Sequence, residues 1–156
     1  MTADSILEKA RQDVDRFGWH CVSVLPEAEG EHEYSYSVGF VRTLGHPDVS
    51  IFGLPSKLAA AVIGNIYDAI GKGLKLKADQ QYTGLLQGGI ALKVAGLAAS
   101  EHCAEYFGVA TRYAGGSTPV LVVMWPNRAG TFPDEVDSRN PQSEGVRLVA
   151  DGVGRT

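Results

Sequence analysis

A chain of 156 residues, 44% apolar and with a formal charge of −4, has the size of one ordinary domain and enough apolar content to bury a full core. Its pI near 5.5 and its scattered lysines and arginines argue against a nucleic-acid binder, which needs a basic patch or stripe. The longest apolar run, Val120 to Trp125, is far too short to cross a bilayer.

The first predicted element is a helix from about Asp4 to Phe17. Ile6, Leu7, Ala10, Val14 and Phe17 recur at helical spacing, and charged side chains fill the other side. Gly18 stands where a left-handed cap ends such a helix. A strand follows from about Trp19 to Leu25, then a polar loop from Pro26 to Glu31. The next two strands, Ser35 to Phe40 and Asp48 to Leu54, flank Gly45-His46-Pro47. In the first of them, period-2 alternation puts Tyr34, Tyr36, Val38 and Phe40 on one face and Ser35, Ser37 and Gly39 on the other. A face of serine and glycine has little volume, so a helix, a strand or a ligand must approach it closely.

Pro55-Ser56 opens the second helix, with Leu58, Val62, Ile63, Ile66, Ala69 and Ile70 as its buried stripe and Gly71 and Gly73 at its end. Lys72, Lys75 and Lys77 read as its solvated end. Two more strands are predicted over Gln80 to Leu86 and Ile90 to Ala95, then a helix from about Ser100 to Tyr113. Pro119 to Trp125 is a nearly continuous apolar strand, the pattern of burial on both faces. After Phe132-Pro133 the chain turns polar. The expected architecture is therefore α+β. A single compact domain over residues 1–133 has a largely antiparallel sheet packed by two or three helices, and 134–156 is a polar, partly disordered tail. The start Met1-Thr2-Ala3-Asp4-Ser5 lacks the pattern of a signal peptide, and Cys21 and Cys103 are too few for a disulfide framework. A cytoplasmic, reducing setting is expected.

Four segments carry a resemblance: Phe17-Gly18-Trp19-His20, Tyr36-Ser37-Val38-Gly39-Phe40, Gly45-His46-Pro47-Asp48 running into Phe52-Gly53-Leu54-Pro55, and Trp125-Pro126-Asn127-Arg128-Ala129-Gly130-Thr131-Phe132-Pro133. In this order they resemble the bacterial domain-of-unknown-function family four-two-six-two, over roughly Ala10 to Pro133. That family usually has Asp where Asn127 stands, Thr where Ser37 stands, and an aromatic where Asp134 stands. The resemblance implies one compact domain and no particular activity.

Among candidates for chemistry, His46 precedes a proline that holds it extended, at a loop-to-strand junction where functional residues gather. Asp48, two residues on, is placed to orient one imidazole nitrogen, so the pair forms the candidate catalytic set. The plainer reading has His46 capping its turn. His20 alternates with Val22 and Val24 and reads as a partly buried structural histidine. On these readings His46→Ala leaves stability nearly unchanged, while His20→Ala costs about 1–3 kcal/mol. His32 and His102 read as solvated.

No metal site is expected: His20-Cys21 and His102-Cys103 repeat a dipeptide, but no CxxC or HxxxH spacing is present. No nucleophile elbow and no glycine-rich phosphate loop appear, so no cofactor is expected and a flavin-binding barrel is disfavoured. Trp125 offers a flat surface and Arg128 a fork for a carboxylate or phosphate. The leading expectation is a pocket for a small polar ligand, in a binder or an enzyme, formed by His46, Asp48, Tyr36, Trp125 and Arg128 over the Ser35–Ser37–Gly39 face. The alternative is a protein-interaction or immunity-type adaptor domain without catalysis.

Overall fold

Helix α1 (Ala3–Phe17) buries Ala10 and Val14, four residues apart and so on one face. The computed structural model describes residues 3–28, 32–127, 130–133 and 141–149. Phe17, expected in the buried stripe, is exposed instead. The helix ends there, with the Gly18 N–H donating to Val14 O at 2.9 Å and Gly18 turning left-handed at φ 95°.

Strand β1 (His20–Val24) pairs antiparallel with β2 (Tyr34–Val38). The strand expected to run through Phe40 stops at Val38. Gly39, at φ 99°, reverses the chain into a short helix, α2 (Phe40–Leu44). Phe40 therefore joins a different core from Tyr34, Tyr36 and Val38. A side chain at position 39 would meet Val14 Cγ2 at 2.7 Å, so backbone sign and space both require glycine.

Strand β3 (Asp48–Phe52) pairs antiparallel with β2 and leads into α3 (Ser56–Gly71), preceded by Pro55 as the proline rule predicts. Its buried face is Ala59, Val62, Ile63, Ile66 and Ile70. Leu58 is exposed, one position round the helix from the true stripe. Of the next two predicted strands, β4 is only Gln81–Tyr82, since Gly84 at φ 86° breaks the extended path. The other is β5 (Leu92–Leu97). The single helix expected over 100–113 is two, α4 (Ser100–Tyr106) and α5 (Gly108–Ala114), broken at Phe107 (φ −124°, ψ 46°). Phe107 is fully buried, its ring edge-on to Tyr36 at 5.2 Å. Packing of that ring overrides helical continuity.

Strand β6 (Val120–Met124) lies in the sheet interior, parallel to β3 and antiparallel to β5, in the order β1-β2-β3-β6-β5-β4. Every residue of β2, β3 and β6 is buried, because helices cover both faces. One core joins Ala10, Val14, Tyr36, Phe107, Val122 and Met124, and the other joins Phe40, Ile51, Val62, Ile66, Leu121 and Val123. The α+β expectation holds, with a mixed, mostly antiparallel sheet of six strands and six α-helices among the described residues. Helix α3 is the element that approaches the serine side of β2. The small-residue face is therefore filled by a helix.

One correction concerns the polar tail. Residues 141–149 pack on the sheet, with α6 (Ser143–Leu148) within them. The Trp125 N–H donates to Gln142 Oε1 at 2.8 Å, and Gln142 Nε2 donates to Trp125 O at 2.7 Å. The Gln142 amide thus pairs with Trp125 as a strand backbone would, which composition cannot reveal. Gly145 seats against Phe52, and Val149 bridges to Ala98. The rest of that expected tail, 134–140 and 150–156, lies outside the described residues.

Candidate functional site

His46 is 5% exposed, with both ring nitrogens engaged. Nδ1 lies 2.7 Å from Pro47 O, and the Leu76 N–H donates to Nε2 at 3.1 Å. An acceptor at Nε2 fixes the proton on Nδ1, so the ring joins its own loop to the segment after α3. Trp125 is likewise tied down, its indole N–H donating to Phe52 O at 2.9 Å. The Tyr36 hydroxyl accepts the Val109 N–H at 3.2 Å in the first turn of α5, and burial pushes its phenol up to about 12. Ser35 Oγ pairs with Ser23 Oγ at 2.9 Å. Arg128 lies outside the described residues. Of the expected constellation, the structure brings together Ser37 and Asp48. His46 and Trp125 hold backbone instead.

Asp48 opens β3 and is 3% exposed. Its Oδ1 accepts the Ser37 hydroxyl at 2.8 Å and the Phe40 N–H at 3.0 Å. Ser37 Oγ in turn accepts the Val49 N–H at 3.0 Å. Beyond the Tyr36–Ser50 pair the β2–β3 ladder ends, and the hydroxyl and carboxylate supply the missing partners. Burial dominates the carboxyl's titration and pushes it up to about 7, against the Ser37, Phe40 and Gly39 donors, which favour the charged form. At neutral pH such a group holds a proton part of the time, and so can give one or take one.

The same carboxyl lines a cavity of about 490 Å³ between α1, α2, α5 and the starts of β3 and β6. Thr118 shares that wall, two residues before β6. The Asp48 N–H donates to Pro119 O at 3.1 Å and Asp48 pairs with Val120, which puts Thr118 two residues ahead of that partner. Thr118 is 6% exposed, and its hydroxyl has no hydrogen-bond partner among the described residues. No described polar side-chain atom is both sealed from solvent and unpartnered, so this hydroxyl reaches the cavity. Gly39, Ala110 and Ala114 make the remaining wall small, and Arg11, Asp15, Arg42 and Tyr113 stand at the mouth.

Thr118 bears no local mark because its relevance depends on β3 lying beside β6, and Arg42 and Tyr113 meet only where α2 and α5 come together. No local spacing encodes either pairing. A smaller cleft at the opposite end of β2 is lined by Leu25, Glu27, His32, Tyr34, Glu105 and Glu144 among others. Among the described residues no cluster of His, Cys, Asp and Glu is placed to hold a metal. No described helix is long and apolar enough to cross a membrane.

Fold and cavity together define a helix–sheet–helix α+β domain with a pocket at the strand ends. The chain belongs to the family described as Domain of unknown function (DUF4262), whose model matches residues 13–139. Comparison with curated proteins and with solved structures finds no match. Asp48 and Thr118 fall inside the matched span, while α6 follows it.

Proposed function

We propose that this domain binds a small polar molecule in the cavity floored by Asp48 and Thr118, with Asp48 as the group that can exchange a proton with it. One observation carries the reading: Thr118, a residue only 6% exposed, turns its hydroxyl into a cavity that the buried Asp48 carboxyl also lines. Buried polar groups are almost always satisfied within the fold or by water. A hydroxyl that reaches a cavity can pair with water or with a bound molecule. A volume of about 490 Å³ falls in the range of small-molecule pockets.

A fragment screen by thermal shift and ligand-observed NMR tests this, run on the wild type, Thr118→Val and Ala114→Leu. The first variant removes the open hydroxyl. The second fills the cavity from an exposed helical position. Ligands that stabilise the wild type should lose affinity in both variants. A screen without ligands, or ligands indifferent to both substitutions, refutes the reading.

A second reading, an interaction domain, rests on the smaller cleft. There Leu25, 64% exposed, stands beside Glu27, Glu105 and Glu144. A partner that protects this cleft in hydrogen exchange and leaves the Asp48 cavity unprotected would favour it.

A further inference from the structure

Resting on the pocket just proposed, we infer that its ligand is a small organic anion, with its carboxylate or phosphate held at Arg42 and Arg11 and its hydrogen-bonding head at Asp48 and Thr118. Arg42 is held at the cavity mouth by two neighbouring helices. Its Nη1 donates both to Asp15 Oδ1 at 3.1 Å and to the Tyr113 hydroxyl at 2.9 Å. These contacts fix the guanidinium across the mouth, from α2 to α1 and α5. Both use one nitrogen, and Nε and Nη2 have no partner among the described residues. A guanidinium carries five N–H donors in a planar fork suited to carboxylate and phosphate. Most of that fork is uncommitted.

Arg11 stands at the same mouth, and its acidic neighbour is Glu8, at 3.8 Å from Nη1. The two guanidinium groups therefore share the mouth with Asp15 and Glu8, and the Asp48 carboxyl lies on the cavity wall behind them. What an anionic group meets there is the uncommitted planar donor fork of Arg42 rather than a net positive charge. The floor sets the other end. Asp48 Oδ1 already accepts two donors, and the Thr118 hydroxyl can donate or accept. A hydroxyl or amide next to the anionic group satisfies this floor, whereas a bare inorganic anion leaves it unfilled.

Binding of matched pairs, lactate against lactamide and glycerol 3-phosphate against glycerol, decides the matter by NMR titration of the full chain. The expected result is that a charged member binds and its neutral partner does not. Arg42→Gln should then weaken the charged member at least about tenfold. Asp15→Asn, which releases Nη1, should tighten it roughly twofold to fivefold. Thr118→Val should weaken it as well. Arg42 and Asp15 side chains are 65% and 64% exposed, so both variants keep the fold, and a thermal melt verifies it. Neutral members that bind as well as charged ones, with Thr118-dependent affinity, overturn the anion class and leave the pocket standing. Charged members that respond to Arg42 but not to Thr118→Val or Ala114→Leu reveal a surface ion contact, which overturns the inference and the pocket reading together. Failure of all four compounds overturns the inference of a small hydroxy or amide anion, while the fragment screen still judges the pocket.

Discussion

Replacing Asp48 with asparagine isolates the energetic consequence of a carboxyl buried at the cavity floor. In the folded chain the group titrates at about 7, against an ordinary value of 3.8, a span of about three pH units. At about 1.4 kcal/mol per unit, this amounts to roughly 4 kcal/mol. The sign follows from a raised folded-state value. Between those two values the native state keeps a proton that the unfolded state has lost. Asp48 therefore contributes stability that is full below about pH 4 and is lost as pH rises through about 7. The substituted amide would keep an acceptor for the Ser37 hydroxyl and the Phe40 N–H and has no charge to desolvate. The stability difference, wild type minus Asp48→Asn, should therefore fall by about 4 kcal/mol from about pH 4 to about pH 8. For a domain of this length that equals about 8–16 °C in relative melting temperature. Taking the difference matters because other carboxyls pull the opposite way. Burial raises Asp13, but its bonds to His20 and Lys9 outweigh burial and lower its pKa, so its contribution fades as pH falls. Urea unfolding of both proteins across this range is the assay. Parallel pH–stability curves would refute the claim that burial governs Asp48.

Three substitutions test the scaffold. His46→Ala should cost about 1–3 kcal/mol, because it strands the Leu76 N–H in a buried setting; an unchanged urea midpoint would contradict this. His20→Ala should cost about 1 kcal/mol or less, since its Nδ1 bonds Asp13 Oδ2 at 2.7 Å and Asp13 keeps Lys9 at 3.1 Å. Side-by-side midpoints thus reverse the order expected from sequence. Gly145→Ala should cost about 1–3 kcal/mol by driving a methyl group into the Phe52 ring, and amide exchange should rise first across α6.

Periodicity made most of the framework legible. The α3 stripe, the alternation of β2 and the apolar run of β6 each repeat a pattern that the element itself imposes on sequence. Phe17 fits its helical period yet is exposed at the end of α1, and Leu58 stands one position round from the face that α3 buries. Phe107 breaks a helix for the sake of one buried ring, a tertiary gain that propensity does not register. At the site, Asp48 stands out by its place after Gly45-His46-Pro47, but the role of its neighbour is hidden. A histidine beside proline reads as an open side chain, yet its two nitrogens close backbone bonds that only the folded loop provides. Thr118 has no local mark at all.

The strand order also governs how this chain comes to be folded. β6 lies between β3 and β5 although it is made after both, so the strands formed before Val120 are two separate pieces. One is the β1–β2–β3 meander with α3, and the other is the β4–β5 pair. Each leaves an open edge until residues 120–124 insert and join them. Such non-local closure is slow relative to hairpin formation, and exposed edges invite pairing with other chains. During synthesis, the newborn chain remains vulnerable to aggregation until Met124 has cleared the ribosome, and only then does the Asp48 cavity acquire its second wall.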